Sequence, residues 1–281
     1  MARYGAVEAG GTKFLLAVGE DPLRLEQVTR IGTSNEPQET MAAVVEFIRR
    51  SGPVEALGVA TFGPVDFATG RITTTPKLAW RDFPLRGWLE QALGVPVGFD
   101  TDVNGAALAE ARYGAGRGVE DLVYFTVGTG IGGGAVAGGR LVHGLMHSEM
   151  GHLLVRRAPD EVPGFAGVCP YHGDCLEGMA SGPAIEARWG HPAETLPQNH
   201  PAWRVEADYL AQACMAVSCV LSPCVIVLGG GVMGQAHLLE RIRARTAAYA
   251  NGYFPLPRIE WPALEHPGLS GALILAVEAA R

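Results

Sequence analysis

Apolar positions along this chain gather in short runs that stop at glycines, with helical spacing between the runs. Tyr4 to Ala9 is apolar except for Glu8; Gly10-Gly11-Thr12-Lys13 interrupts it and Phe14 to Val18 resumes it. That pattern predicts a hairpin with a glycine corner. Within Pro37 to Arg50, Met41, Val44, Val45 and Ile48 fall on one helical face. Ala56 to Phe62 predicts a buried strand that runs into Gly63-Pro64-Val65-Asp66, and Arg71 to Pro84 reads as irregular chain around Trp80 and Phe83. Val95 to Phe99 predicts another strand, and Asp100-Thr101-Asp102-Val103-Asn104 leads into an alanine-rich helix through Tyr113.

The second half repeats the opening. Gly114 to Gly118 is a break; Leu122 to Val127 predicts a strand, Gly128 to Gly134 a second glycine corner, and Ala135 to Leu141 the returning strand. Trp203 to Leu221 predicts a long helix, Val225 to Leu228 a buried strand, and Gly229-Gly230-Gly231 a third glycine turn. Helices over Leu238 to Ala250 and Leu269 to Ala280 complete the chain. Strands alternating with helices imply an α/β class, and the repeated corner implies a duplicated architecture. Leu210 to Leu239 lacks Asp, Glu, Lys and Arg, but Ser222-Pro223 cuts it and glycines end it. It reads as a core helix and strand, not as a membrane span.

Chemistry concentrates between Glu149 and Glu177. Cys169, His172 and Cys175 are evenly spaced in a Gly/Pro-rich loop, with His152 upstream. Thiolates and imidazoles in a set of four suit tetrahedral Zn²⁺ in a structural role. His147 is the alternative fourth ligand. Glu149 and Glu177 bracket the set, so a bound metal would fix two carboxylates near each other. Elsewhere, Gly10 to Lys13 suits a phosphate, since glycine lets backbone N–H groups approach and Thr12 adds a hydroxyl; the other reading is an ordinary tight turn. Gly63, at a strand end, could line a ligand pocket or simply turn the chain. Asp102, at a strand-to-helix junction, suits a helix cap or a general base.

Composition narrows the partners. The 281 residues carry a net charge of −7, which disfavours a nucleic-acid binder. Hydrophobic content of 48% supplies a sizeable core. Five cysteines without framework spacing fit a reducing cytoplasm, and no signal-peptide run opens the chain.

Taken together, these motifs resemble the ROK family of repressors and sugar kinases, in the family's own order from Glu8 to Gly231. Glu8-Ala9-Gly10-Gly11-Thr12-Lys13 is similar to the family's first phosphate motif, and Gly128-Thr129-Gly130-Ile131-Gly132-Gly133 to its second. Thr101-Asp102 stands where the family has Asn-Asp. Glu149 to His152 matches its Glu-x-Gly-His, and Glu177 its zinc-linked sugar glutamate. Three departures, Glu8 for Asp, Thr101 for Asn, and Cys-x-x-His-x-x-Cys for a three-cysteine loop, resemble the zinc-containing bacterial fructokinase branch.

The resemblance implies an actin-like ATPase (ribonuclease H-like) fold, with two α/β domains around a nucleotide and sugar cleft. The expected boundaries are 1–115 with 268–281, and 116–267. It implies an ATP- and Mg²⁺-dependent hexose kinase acting on fructose, usually homodimeric, with no nucleic-acid or membrane partner. Asp102 would be the catalytic base. Gly63, Thr101, Asp102, Glu149, His152 and Glu177 would bind sugar. Glu8, Gly10, Gly11, Thr12, Lys13, Gly128, Thr129, Gly130, Gly132, Gly133, Gly182 and Gly229 to Gly231 would bind MgATP. His152, Cys169, His172 and Cys175 would hold zinc. The alternatives are a kinase of glucose, mannose or an N-acetyl hexosamine, and a sugar-binding regulator without kinase activity. The expectation disfavours the regulator, because the phosphate motif starts almost at Met1 and the chain is acidic.

Overall fold

A computed structural model describes residues 2–281. The chain divides into two compact units: one runs to Gly114 and adds Leu141–His147 and Leu264–Arg281, the other comprises Ala115–Arg140 and Ser148–Ala263.

In the first unit, β1 (Tyr4–Ala9), β2 (Lys13–Asp21) and β3 (Arg24–Gly32) form an antiparallel meander; α1 (Pro37–Arg50) precedes β4 (Ala56–Thr61). A two-stranded ribbon, β5 (Val65–Asp66) and β6 (Arg71–Ile72), and α2 (Leu85–Leu93) come before β7 (Val97–Thr101) and α3 (Asp102–Tyr113). The sheet order is β3-β2-β1-β4-β7, with β1, β4 and β7 parallel. One face is covered by α1 and α2 through Met41, Val44, Ile48, Leu85 and Leu89, all buried against sheet residues such as Leu16, Leu57 and Val59. The other carries the closing helix, Pro267–Ala279, whose backbone lies directly on the sheet. A Cβ on Gly58 would fall 1.7 Å from the Ala272 carbonyl oxygen, and one on Gly98 2.2 Å from that of Leu275, so only glycine fits at either point.

Strand β3 and helix α2 are among the elements of this unit that were not foreseen. Strand β3 is nearly all exposed, so no apolar alternation marks it; it is an edge strand protected by charge. Helix α2 is short and buries only Leu85 and Leu89, too few positions to reveal a helical period.

The second unit holds β8 (Leu122–Val127), β9 (Ile131–Ala137), β10 (Arg140–Leu141), α4 (Leu176–Ala180), α5 (Gly182–Trp189), α6 (Ala202–Leu221), β11 (Val225–Gly229), α7 (Leu238–Ala250) and β12 (Arg258–Glu260). Its sheet order is β10-β9-β8-β11-β12, with β8, β11 and β12 parallel. The returning strand starts at Ile131, not Ala135: Gly132 and Gly133 pair with Thr126 and Phe125 inside the ladder. A Cβ on Gly133 would lie 2.7 Å from the Met150 Cβ, so this glycine makes room for the chain that carries Glu149 and His152. A buried ion pair, Arg188 Nε to Glu161 at 2.7 Å, anchors the loop leading to Cys169. Tyr209 donates to the same carboxylate at 2.6 Å, and Arg188 also donates to the Met179 carbonyl. Among the described residues no helix is long and apolar enough to cross a membrane.

Segment Leu141–His147 packs with the first unit, although the sequence reading put it in the second domain. Its histidines explain the difference: the His147 Nε2 accepts the Val65 N–H at 3.0 Å, and the His143 Nε2 meets Asp100 Oδ2 at 2.9 Å.

Candidate active site

The site residues of the first unit gather at one end of its sheet. Ala9, Thr61 and Thr101 share one register across β1, β4 and β7. The Gly10–Lys13 corner, Gly63 and Asp102 each follow one of these ends, which is where ligands sit in parallel α/β sheets. The corner is closed by Gly10 N–H donating to the Lys13 carbonyl at 2.9 Å. Thr33 braces it: its N–H donates to the Thr12 carbonyl and its hydroxyl to the Gly10 carbonyl. Thr12 and Lys13 stay exposed at the tip.

Glu8, just before the corner, sits against the start of the closing helix, where the Leu269 N–H donates to it. Burial raises its pKa; His266, Lys13 and that N–H pull the other way. Gly268 leaves room for that carboxylate, since a Cβ would fall 2.6 Å from the Glu8 carboxyl carbon and push the side chain aside.

At the start of α3 the capping role falls to Thr101, whose hydroxyl accepts the Asn104 N–H at 3.2 Å. Asp102 is the next residue, half-buried, with Oδ1 accepting the Val103 N–H at 2.9 Å. Behind them lies a group that sequence reasoning missed. Asp100, 3% exposed, accepts from Thr101 N–H and Asn104 Nδ2, each at 2.7 Å, and from His143. The bond to Asp100 raises the His143 pKa against the opposing effect of burial. Nothing in sequence joins Asp100 to His143; the only signal was a pair of histidines four apart beside Glu149. Phe67 packs between them, 4.5 Å from the His143 ring and 6.0 Å from that of His147. Gly63 abuts His147, with a would-be Cβ 3.1 Å from its ring.

In the second unit, Gly128, Gly182 and the Gly229–Gly231 turn converge. Gly182 N–H, opening α5, donates to the Gly128 carbonyl at 2.7 Å. Gly230 has φ +94° and approaches the Val127 backbone so closely that a Cβ would lie 2.4 Å from its carbonyl oxygen. Glu177 Oε2 accepts the Ile131 N–H at 2.9 Å, tying the sugar glutamate of the sequence reading to the second corner beside Gly130. Glu149 has its pKa raised to about 7, first by burial of its carboxyl and then by the Glu177 charge.

Between these carboxylates the four donors of the sequence reading come together. One ligand atom each from His152, Cys169, His172 and Cys175 lies within 4.8 Å of the others. His152 Nδ1 is 3.4 Å from Cys175 Sγ and 3.8 Å from Cys169 Sγ, and His172 Nδ1 is 3.7 Å from Cys169 Sγ. A tetrahedral zinc ion with ordinary Zn–S and Zn–N bonds needs N···S separations of about 3.6 Å, so the set fits the ion. A tight knuckle shapes it: Cys169 and Gly173 exchange backbone bonds at 3.2 and 3.0 Å, and Gly173 has φ +66°. His147 is not part of this set, because its ring is committed to Val65. Both histidines turn Nδ1 toward the thiols, which leaves His152 Nε2 for another partner.

Two α/β units, each opening on a strand, a glycine corner and a returning strand, define the actin-like ATPase class, here in its sugar-kinase form. The chain belongs to the ROK family, whose description matches residues 4–279. It is 42% identical to a fructokinase of Zymomonas mobilis over 98% of this chain and 97% of that one. It is 40% identical to a fructokinase of Pediococcus pentosaceus over 97% and 96%. The crystal structure of a ROK hexokinase from Thermus thermophilus superimposes with a TM-score of 0.80 at 31% identity, covering 98% of each chain.

Proposed function

We propose that the chain transfers the terminal phosphoryl group of MgATP to fructose, giving fructose 6-phosphate. That it is an ATP-dependent hexose kinase follows from its family and from relatives matched over nearly their whole length; the activity named for those relatives supports fructose as the sugar. The observation that carries the reading is the common register of Ala9, Thr61 and Thr101, which puts the Gly10–Lys13 corner and the residue Asp102 at one sheet end.

Asp102 accepts the proton of the sugar hydroxyl as its oxygen attacks the terminal phosphorus. The bond from that phosphorus to the bridging oxygen breaks, and ADP leaves with the electron pair. Such a transfer depends on positioning and charge neutralisation more than on base strength. Thr101 supports the assignment by taking the cap, so Asp102 is not needed for that. Backbone N–H groups of Gly11 to Lys13 and of Thr129 and Gly130 hold phosphates, at corners that the Gly10 and Gly128 N–H groups close by donating to the Lys13 and Gly130 carbonyls; Glu8 would face the magnesium that comes with ATP. Gly182 and Gly229 to Gly231 lie against the nucleoside. Glu149, Glu177 and His152 Nε2 meet sugar hydroxyls, with Gly63 and Thr101 beside the acceptor. Zinc held by His152, Cys169, His172 and Cys175 would supply no chemistry to the transfer; it would fix the loop that carries both glutamates.

The test is ADP release with fructose, glucose, mannose and N-acetylmannosamine, before and after chelation. Fructose-dominant activity that falls with zinc is expected. Dominant activity on another hexose would overturn the sugar assignment, and none on any sugar would overturn the kinase.

A further inference from the structure

Of the 22 basic residues only Lys13 and Lys77 are lysines; every other is arginine. This chain therefore does not use lysine for general surface charge. Both lysines stand at the first glycine corner. Lys13 closes it in sequence, whereas Lys77 arrives from the loop between β6 and α2, where a Cβ on Gly11 would lie 3.7 Å from the Lys77 Cε.

Trp80 brings it there. The indole is fully buried against Phe14, Phe62 and Phe83, with ring centroids 5.5, 5.7 and 5.4 Å away. Its N–H donates to the Ser34 carbonyl at 2.9 Å. Phe14 directly follows Lys13, and Ser34 directly follows the Thr33 that braces the corner. Trp80 is thus fastened to both flanks of the corner. One turn earlier, Lys77, whose carbonyl accepts the Trp80 N–H at 2.9 Å, is carried onto its open side. Lys77 is half-buried, and among the described residues its ammonium forms no ion pair. The nearby carboxylate, Glu8, interacts with Lys13 and His266 instead.

We propose that Lys77 is a catalytic residue of the phosphoryl transfer, its ammonium contacting oxygens of the terminal phosphate held at Gly10 to Lys13. The inference rests on the kinase reading above and adds to it a residue that no motif supplied. Charge is spread over the terminal phosphate oxygens as the bond to the leaving oxygen breaks, and a fixed cation there stabilises that state. A compact ammonium on a flexible stem suits this task, since it needs no planar fork to match.

The experiment compares the zinc-loaded wild type with Lys77→Met, which keeps the stem and removes the charge, and Lys77→Arg, which keeps the charge. Binding of magnesium AMP-PNP and of AMP is measured directly, alongside fructose kinetics. Lys77→Met should lower kcat by roughly 10²- to 10³-fold and weaken AMP-PNP binding. AMP affinity, fructose KM and melting temperature should be unchanged, and Lys77→Arg should recover part of kcat. If the wild type binds AMP-PNP but Lys77→Met binds it equally well with unchanged kcat, the inference alone fails. A rise in fructose KM alone would assign Lys77 to the sugar and overturn it too. A wild type that binds no AMP-PNP overturns the kinase reading and this inference with it.

Discussion

At the scale of single residues, the division of labour at the start of α3 decides what Asp102 can do. Thr101 supplies the cap and Asp100 anchors the turn from behind, so Asp102 can be changed without unfolding the helix start. Asp102→Asn should therefore leave fructose binding and melting temperature near wild type while turnover falls by roughly 10²- to 10⁴-fold; turnover within a few-fold of wild type would remove the base assignment. Glu149 makes a different prediction. Its folded pKa, about 7, lies above the ordinary carboxylate value because its carboxyl is buried and Glu177 is near. A raised carboxylate pKa favours folding below the unfolded value, and that contribution is lost as pH rises through the folded value. The ionised form is the one that accepts sugar hydroxyls. Fructose affinity should therefore rise with pH through about 7, and Glu149→Gln should flatten the profile. Calorimetric fructose titrations from pH 5.5 to 8.5 would measure both.

At the scale of elements, the glycine corners are only as well placed as the elements that brace them. In the first unit the brace is the short helical turn Leu78–Trp80, which the sequence presents as irregular chain. Trp80→Ala should cost about 3–5 kcal/mol by the cavity it opens and lower the melting temperature by roughly 10 °C; calorimetry would show it. If kcat at low temperature also falls more than fructose KM rises, the turn positions Lys77 as well as stabilising the unit. Legibility follows the same physics. Helices and strands with a full buried face, such as α1 and β4, were readable because the apolar period is set by packing. Strand β3 was not, because an edge strand facing water has no reason to alternate. The corner at Gly128 was read too long, because glycines inside a strand look like a turn until the partner pressed against Gly133, Met150, is known. The four metal donors were legible because ligand identity and loop spacing are local. The Asp100–His143 pair and the approach of Lys77 to Gly11 were not, because each joins residues far apart in sequence.

At the scale of the molecule, each unit carries its own share of the chemistry on its own framework. In the second unit that framework is the cluster of four donors, His152, Cys169, His172 and Cys175. Glu177 follows Cys175 by two residues and Glu149 precedes His152 by three, so whatever orders the four donors orders both carboxylates. Without metal, burial pushes the Cys175 thiol up to about 11, which keeps it protonated at neutral pH. A thiol ligand must lose that proton to bind zinc, so loading should be slower and weaker in mild acid. Cys169→Ser should lose zinc, measured by elemental analysis, and weaken fructose binding by roughly tenfold or more. Cys219→Ser, at an exposed cysteine on α6 that is not one of the four donors, should change neither. The comparison separates two roles for the loop. If zinc were only a staple for folding, Cys169→Ser would lower the melting temperature while fructose affinity, measured well below that temperature, stayed at the wild-type value. Loss of affinity in protein that is still folded is the outcome expected if the ion holds the sugar carboxylates in place.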